Sequence, residues 1–88
     1  MLEYHAAYYE IEDGWYMAKV LDFPGAISQG RTLRSARLMI RDALRQVAEC
    51  HLEEGLPLPK PKLRAKDKKA AFQEKIPLKI RFQTGAIE

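Results

Sequence analysis

Apolar and polar residues alternate with a period close to two through the first part of the chain, and the period then lengthens to about 3.6. From Tyr4 to Ile11 the alternation places Tyr4, Ala6 and Tyr8 on one side of a strand and His5, Ala7, Tyr9 and Ile11 on the other. A second run, Trp15 to Leu21, puts Tyr16, Ala18 and Val20 on one side and Trp15, Met17, Lys19 and Leu21 on the other. Asp13-Gly14 between them predicts a two-residue hairpin turn, because both of its central positions need positive φ and this pair tolerates that. Asp22-Phe23-Pro24-Gly25 predicts a second tight turn, and Ala26 to Gln29 a third short strand, so the opening stretch reads as an antiparallel meander.

From Leu33 the recurrence of Leu33, Ala36, Ile40, Ala43, Leu44, Val47 and His51 at spacings of three and four predicts one helix ending near Glu54. Thr32 is placed to cap its start, while Gly55 and Pro57 stop it. Leu56-Pro57-Leu58-Pro59-Lys60-Pro61 cannot be helical and reads as an extended linker or an arm laid along a surface. Residues 63–75 carry no clear stripe. Ile76, Leu78, Ile80 and Phe82 alternate with polar residues and Pro77, which predicts a last strand over residues 76–82, either at a sheet edge or with its first residues outside the ladder, because Pro77 cannot donate a ladder hydrogen bond.

These elements predict a single α+β domain over residues 1–88, an antiparallel β-β-β-α-β unit of three or four strands with its main helix on one face. The core spans about residues 1–56, a proline- and lysine-rich linker about 57–75, and the last strand about 76–82. One helix covers only one face of such a sheet, so the other face must meet solvent, a second subunit or a partner. A chain of 88 residues buries roughly 60 to 65% of its unfolded surface. Its core is therefore thin, and a homo-oligomer, dimer or tetramer, is expected.

Composition adds limits. No apolar run is long enough to span a membrane, and Met1-Leu2-Glu3-Tyr4 lacks the basic start and apolar stretch of a secretory signal, so a cytoplasmic protein is expected. Cys50 is the only cysteine and agrees with a reducing compartment. The formal net charge of +3 is unevenly spread: residues 1–30 carry a balance of −4 and residues 57–88 a balance of +6. Lys60, Lys62, Arg64, Lys66, Lys68 and Lys69 make up most of that basic segment, which reads either as a solvated linker or as a nucleic-acid-binding arm.

On the helix, Arg34, Arg37, Arg41 and Arg45 fall within about 80° of one another, with Leu38 on the same side. They form either a solvated face, with Arg45 paired to Asp42 or Glu49, or an interface for an acidic partner or for phosphates. Catalytic signals are weak. Glu10, Glu12 and Asp13 crowd one hairpin tip and Asp22 belongs to a turn, so the converging carboxylates that a two-metal nuclease needs are missing from the strands. His5 and His51 stand far apart, and there is no glycine-rich phosphate loop or nucleophile motif. No enzyme activity, metal or cofactor is expected.

With these blocks placed, the chain resembles the HicB-like antitoxin family. The resemblance is carried by Asp13-Gly14-Trp15-Tyr16 with Ala18, by Asp22-Phe23-Pro24-Gly25, by Gln29-Gly30 with Thr32-Leu33, and by Glu54-Gly55-Leu56-Pro57-Leu58-Pro59. The order and spacing of the blocks, over about residues 4–61, are the specific part. It implies a fold similar to a truncated ribonuclease H and a non-catalytic protein that binds and blocks a small HicA-type ribonuclease toxin. Under that reading Trp15, Tyr16, Phe23, Pro24, Arg34, Arg37, Leu38, Arg41, Arg45, Ile80 and Phe82 are the candidate partner or oligomer contacts. Many members carry a C-terminal DNA-binding domain, but 27 residues follow Pro61 here, with no second helical pattern, so operator binding by an appended domain is not expected. The family's helix is usually acidic near its start, and the arginines depart from that pattern.

Overall fold

The computed structural model describes residues 2–80. Strand β1 (Glu3–Glu10) turns into β2 (Tyr16–Val20), then β3 (Ile27–Gly30), helix α1 (Leu33–Glu53) and β4 (Phe72–Pro77). The strands form one sheet in the order β3-β2-β1-β4, antiparallel throughout, so the fold is the α+β arrangement read from the sequence.

Local chemistry accounts for the turns. Asp13 (φ 60°) and Gly14 (φ 78°) are both left-handed, and the Trp15 amide closes the turn on the Glu12 carbonyl at 3.2 Å. In the second turn Pro24 and Gly25 stand between Phe23 and Ala26, Gly25 takes φ 96°, and the Ala26 amide donates to the Phe23 carbonyl at 3.3 Å. Thr32 Oγ1 accepts from the Ser35 amide at 3.0 Å and caps α1. At the other end Gly55 (φ 73°) lets the Leu56 amide reach the His51 carbonyl and its own amide reach Leu52, a paired closure that satisfies two terminal carbonyls.

The core lies between α1 and one face of the sheet. Tyr4, Ala6, Tyr8, Ala18 and Ile76 from the strands meet Ala36, Ile40, Leu44 and Ala48 from the helix, all without exposure. Leu33, Ala43 and Val47 of the expected stripe are rim residues, and Ala48, which the stripe omitted, is fully buried. The buried helical positions recur every four residues and are capped by alanine at both ends, which lets α1 lie close on the sheet. Gly30 makes the closest approach: a β-carbon there would stand 2.6 Å from the Ala36 amide nitrogen and 2.9 Å from the Ser35 carbonyl carbon.

The last strand differs from the sequence expectation. It runs Phe72–Pro77 rather than 76–82, so Ile80 lies beyond it as a half-buried residue against the core, and Phe82 falls outside the described residues. The apolar alternation misled because the strand's early part is held by contacts distant in sequence. Phe72 stacks on Tyr8 with ring centres 5.6 Å apart, and Glu74 accepts from the Tyr8 hydroxyl at 2.6 Å. Pro77 sits opposite Glu3, and the next amide, Leu78, donates to the Leu2 carbonyl at 2.9 Å. The proline nitrogen therefore points away from β1 on an edge strand, where no ladder bond is lost.

Residues 57–71 are an arm, not a free linker. The Tyr4 hydroxyl donates to the Pro59 carbonyl at 2.7 Å, the Lys62 amide to Asp22 at 3.1 Å, and the Tyr9 hydroxyl to Asp67 at 2.6 Å. Gln73 fastens the middle of the arm, accepting from the Asp67 amide and donating to the Ala65 carbonyl. From Pro59, which meets the helix-side Tyr4, the arm passes at Lys62 onto the face opposite the helix and crosses it over β1 and β4, where Ala7 is fully buried.

Gly30→Ala is expected to destabilise the fold by about 1–3 kcal/mol, because the clash is with helix backbone and cannot be relieved by a rotamer change. Thermal unfolding checks this: a lowered Tm is expected, and an unchanged Tm would mean that α1 can retreat without loss.

Candidate interaction surfaces

Asp22 joins three separate parts of the fold. Its carboxylate is fully buried and accepts from the His5 amide at 2.8 Å, from His5 Nδ1 at 2.8 Å and from the Lys62 amide at 3.1 Å. Burial by itself would raise its pKa, but the hydrogen bonds from His5, Lys62 and its own amide outweigh that and hold it below the usual carboxylate range. The sequence placed Asp22 in a turn; the structure makes it the tie between that turn, β1 and the arm.

The helix arginines divide. Arg37 clasps Glu74 through Nε and Nη2, both at 2.9 Å, while its guanidinium lies 5.9 Å from the Phe72 ring centre. Arg41 stands 3.7 Å from the same carboxylate, and Arg45 bridges Asp42 and Glu49 on its own helix. Burial pushes Glu74 up, yet Arg37 and the Tyr8 hydroxyl more than offset this and lower its pKa. Burial, and after it the same contact with Glu74, pushes Tyr8 up. Three of the four arginines are therefore committed to carboxylates of this chain, and one of those carboxylates, Glu74, lies 37 residues from Arg37 in sequence, where no local signal reveals the pairing. Arg34 and Leu38 are exposed.

The remaining candidates scatter. Phe23 is not a surface residue: it is fully buried, with its ring edge-on to Tyr4 at 5.2 Å and to His51 at 5.1 Å. The turn backbone directs its side chain inward, leaving Pro24 exposed beside it. Tyr16 lies on the helix side at the core rim and donates to Glu10 at 3.0 Å. Trp15 is half-buried on the opposite side, with the Arg31 guanidinium 5.3 Å from its ring centre. Ile80 lines a cleft of about 320 Å³ with Arg41, Asp42, Arg45, Pro77 and Lys79.

What the arm leaves bare is the β2–β3 half of the second face. Trp15, Met17, Lys19, Ile27 and Gln29 share it by register, and Ile27 is 60% exposed. Shallow clefts of about 290 Å³ (Ile11, Glu12, Trp15, Gln29) and about 260 Å³ (Lys19 to Leu21 with Pro24 to Ile27) flank it. The outer edge of β3 pairs with no strand among the described residues. Met17 was legible as one side of its strand; which side Ile27 takes, and which part of that face the arm covers, come from the fold. Among the described residues no cluster of three or more His, Cys, Asp or Glu could hold a metal, and no helix is long and apolar enough to cross a membrane.

Three antiparallel strands, one helix and a fourth strand returning beside the first define a fold that recurs in solved toxin–antitoxin proteins. The chain is similar to the N-terminal domain of the Burkholderia pseudomallei antitoxin HicB, with 23% identity and a TM-score of 0.75 over 89% of this chain and 99% of that one. It is also similar to a chain of the HicA3 and HicB3 toxin–antitoxin complex, with 20% identity and a TM-score of 0.66 over 91% of this chain and 99% of that one. The fold is thus that of the HicB N-terminal domain. No protein-family model and none of the curated proteins matches the sequence.

Because the Asp22 pKa is lowered in the fold, its contribution is fully present above the unfolded value of about 3.9 and is lost as pH falls through the depressed folded value. Asp22→Asn is expected to cost roughly 1–3 kcal/mol near neutral pH, and the gap from wild type to narrow below about pH 4. Denaturant titrations at pH 7 and pH 3 check this; a gap independent of pH would mean that the negative charge of Asp22 adds nothing.

Proposed function

We propose that this chain is a non-catalytic, antitoxin-like binding protein that neutralises a small HicA-type ribonuclease toxin by protein–protein contact. The observation that carries the reading is the fold's likeness over almost the whole of a HicB domain, joined to a chain likeness within a toxin–antitoxin complex. The sequence blocks around Asp13-Gly14-Trp15, Asp22-Phe23-Pro24-Gly25 and Glu54-Gly55-Leu56-Pro57 support it from an independent direction.

The surface best suited to such contact is the bare β2–β3 half of the second sheet face. It offers Trp15, Met17 and Ile27 as apolar anchors, Pro24 at one end and the acidic Glu10, Glu12 and Asp13 tip at the other. An apolar centre with a polar rim is the usual composition of a binding patch. Arg34 and Leu38 on the helix are a separate surface, available to a second copy of the chain, and a homo-oligomer belongs to the same reading.

Co-expression with the product of the neighbouring reading frame tests it. The two chains are expected to elute together from a sizing column with light-scattering detection, which also reads the number of copies. Ile27→Arg is expected to weaken that association at least about 30-fold, the loss typical of a central contact residue, while leaving the circular dichroism of the chain unchanged. Failure of any small nuclease-like neighbour to associate, or indifference of the complex to Ile27→Arg, removes respectively the function or its assigned surface.

A further inference from the structure

The two basic features of the chain meet opposite fates in the fold. On α1, Arg37, Arg41 and Arg45 are held by Glu74, Asp42 and Glu49. On the arm, Lys60, Lys62, Arg64, Lys66, Lys68 and Lys69 are all exposed, and none forms an ion pair among the described residues. The one carboxylate within the segment, Asp67, is turned toward the protein, accepting from the Tyr9 hydroxyl and from the Lys69 amide. Tyr9 itself is pushed up to about 12 by burial and by Asp67, so this tie persists across the physiological range.

The arm is also fixed before any partner arrives. Asp22 and Gln73 hold its backbone at Lys62, Ala65 and Asp67, and Tyr9 holds the Asp67 side chain, so its cations are displayed from a seated main chain. Lys19 and Lys75 lie on the same face of the sheet by register and extend the positive field beside it. A preorganised row of unpaired cations suits a partner with closely and regularly spaced negative charge, because less ordering entropy is lost on contact.

We propose that the arm is a sequence-independent binding surface for the phosphate backbone of double-stranded DNA, lying on the half of the sheet face next to the β2–β3 half assigned to a toxin. The chemistry narrows the partner. Single strands are gripped by stacking on aromatic rings, and no aromatic residue occurs between Lys60 and Ala71. Duplex RNA is read largely through its 2′-hydroxyls, and the same stretch contains no Ser, Thr, Asn or Gln to bond them. A membrane surface calls for a broad apolar face on an amphipathic helix, whereas this segment is non-helical with Leu63 as its one strongly exposed apolar side chain.

Fluorescence anisotropy of the full chain with a labelled DNA duplex of arbitrary sequence tests the proposal. Four neutralised phosphates predict an affinity loss of about 100-fold between 50 and 200 mM salt. Replacing Lys62, Arg64, Lys66 and Lys68 together by Gln is expected to abolish most binding at 50 mM salt, while Lys79→Gln, off the arm, has little effect. The replaced side chains are exposed, and unchanged thermal unfolding confirms that the fold survives. Absence of binding at 50 mM salt overturns the proposal, as does equal binding by the quadruple variant. Binding confined to duplex RNA, to vesicles rich in phosphatidylserine or to a poly-glutamate peptide overturns the assignment to DNA. The measurement uses the chain alone, so its outcome is independent of whether a toxin associates.

Discussion

The arm that covers half of the sheet face away from the helix enters that face at one buried carboxylate, Asp22. A small α+β unit with a single helix has a second face to hide, and here the chain hides half of it with its own backbone. Asp22 makes that possible by accepting hydrogen bonds from β1 and from the arm at once. A buried charge is tolerated only when its lone pairs are occupied, so the arm's position at Lys62 and the charge on Asp22 require each other.

A second carboxylate organises the opposite side in the same manner. Glu74 gathers Tyr8, Arg37 and Arg41 at the seam between β4 and α1. The result is a division of labour among the basic residues. Arg37 and Arg41, whose forked geometry suits contacts with carboxylates, hold the helix to the edge strand, whereas the five lysines of the arm, hydrated and single-pointed, remain outside with Arg64. The net positive charge of the chain is therefore displayed chiefly on one surface.

The legibility of this fold follows the range of the forces involved. The turns at Asp13-Gly14 and Pro24-Gly25 and the stop at Gly55 are backbone effects complete within four residues, and each was readable. So was the helix, whose buried side repeats locally. The last strand was misplaced by four residues because Phe72 and Glu74 find their partners, Tyr8 and Arg37, far away in sequence. Phe23 was misread for a related reason: a turn residue is ordinarily exposed, and only the space between Tyr4 and His51 explains its inward ring. Of the candidate surface, the alternation along β2 revealed which of its residues share a side, but the register of β3 beside it and the extent of the arm's cover are properties of the folded chain.

The pairing of β1 with β4 has a consequence for the order of assembly. Strands β1 to β3 and the helix are joined by short loops and can form from neighbours, whereas the register Tyr8↔Phe72 closes most of the chain into one loop. Closing it costs chain entropy that only the finished contacts repay, so β4 and the arm dock last and release first. When they release, the inner edge of β1 is uncovered together with the buried face of the arm. The same strand that anchors the sheet is then open to the fourth strand of another copy, and the fold carries within its topology a route to exchange between chains.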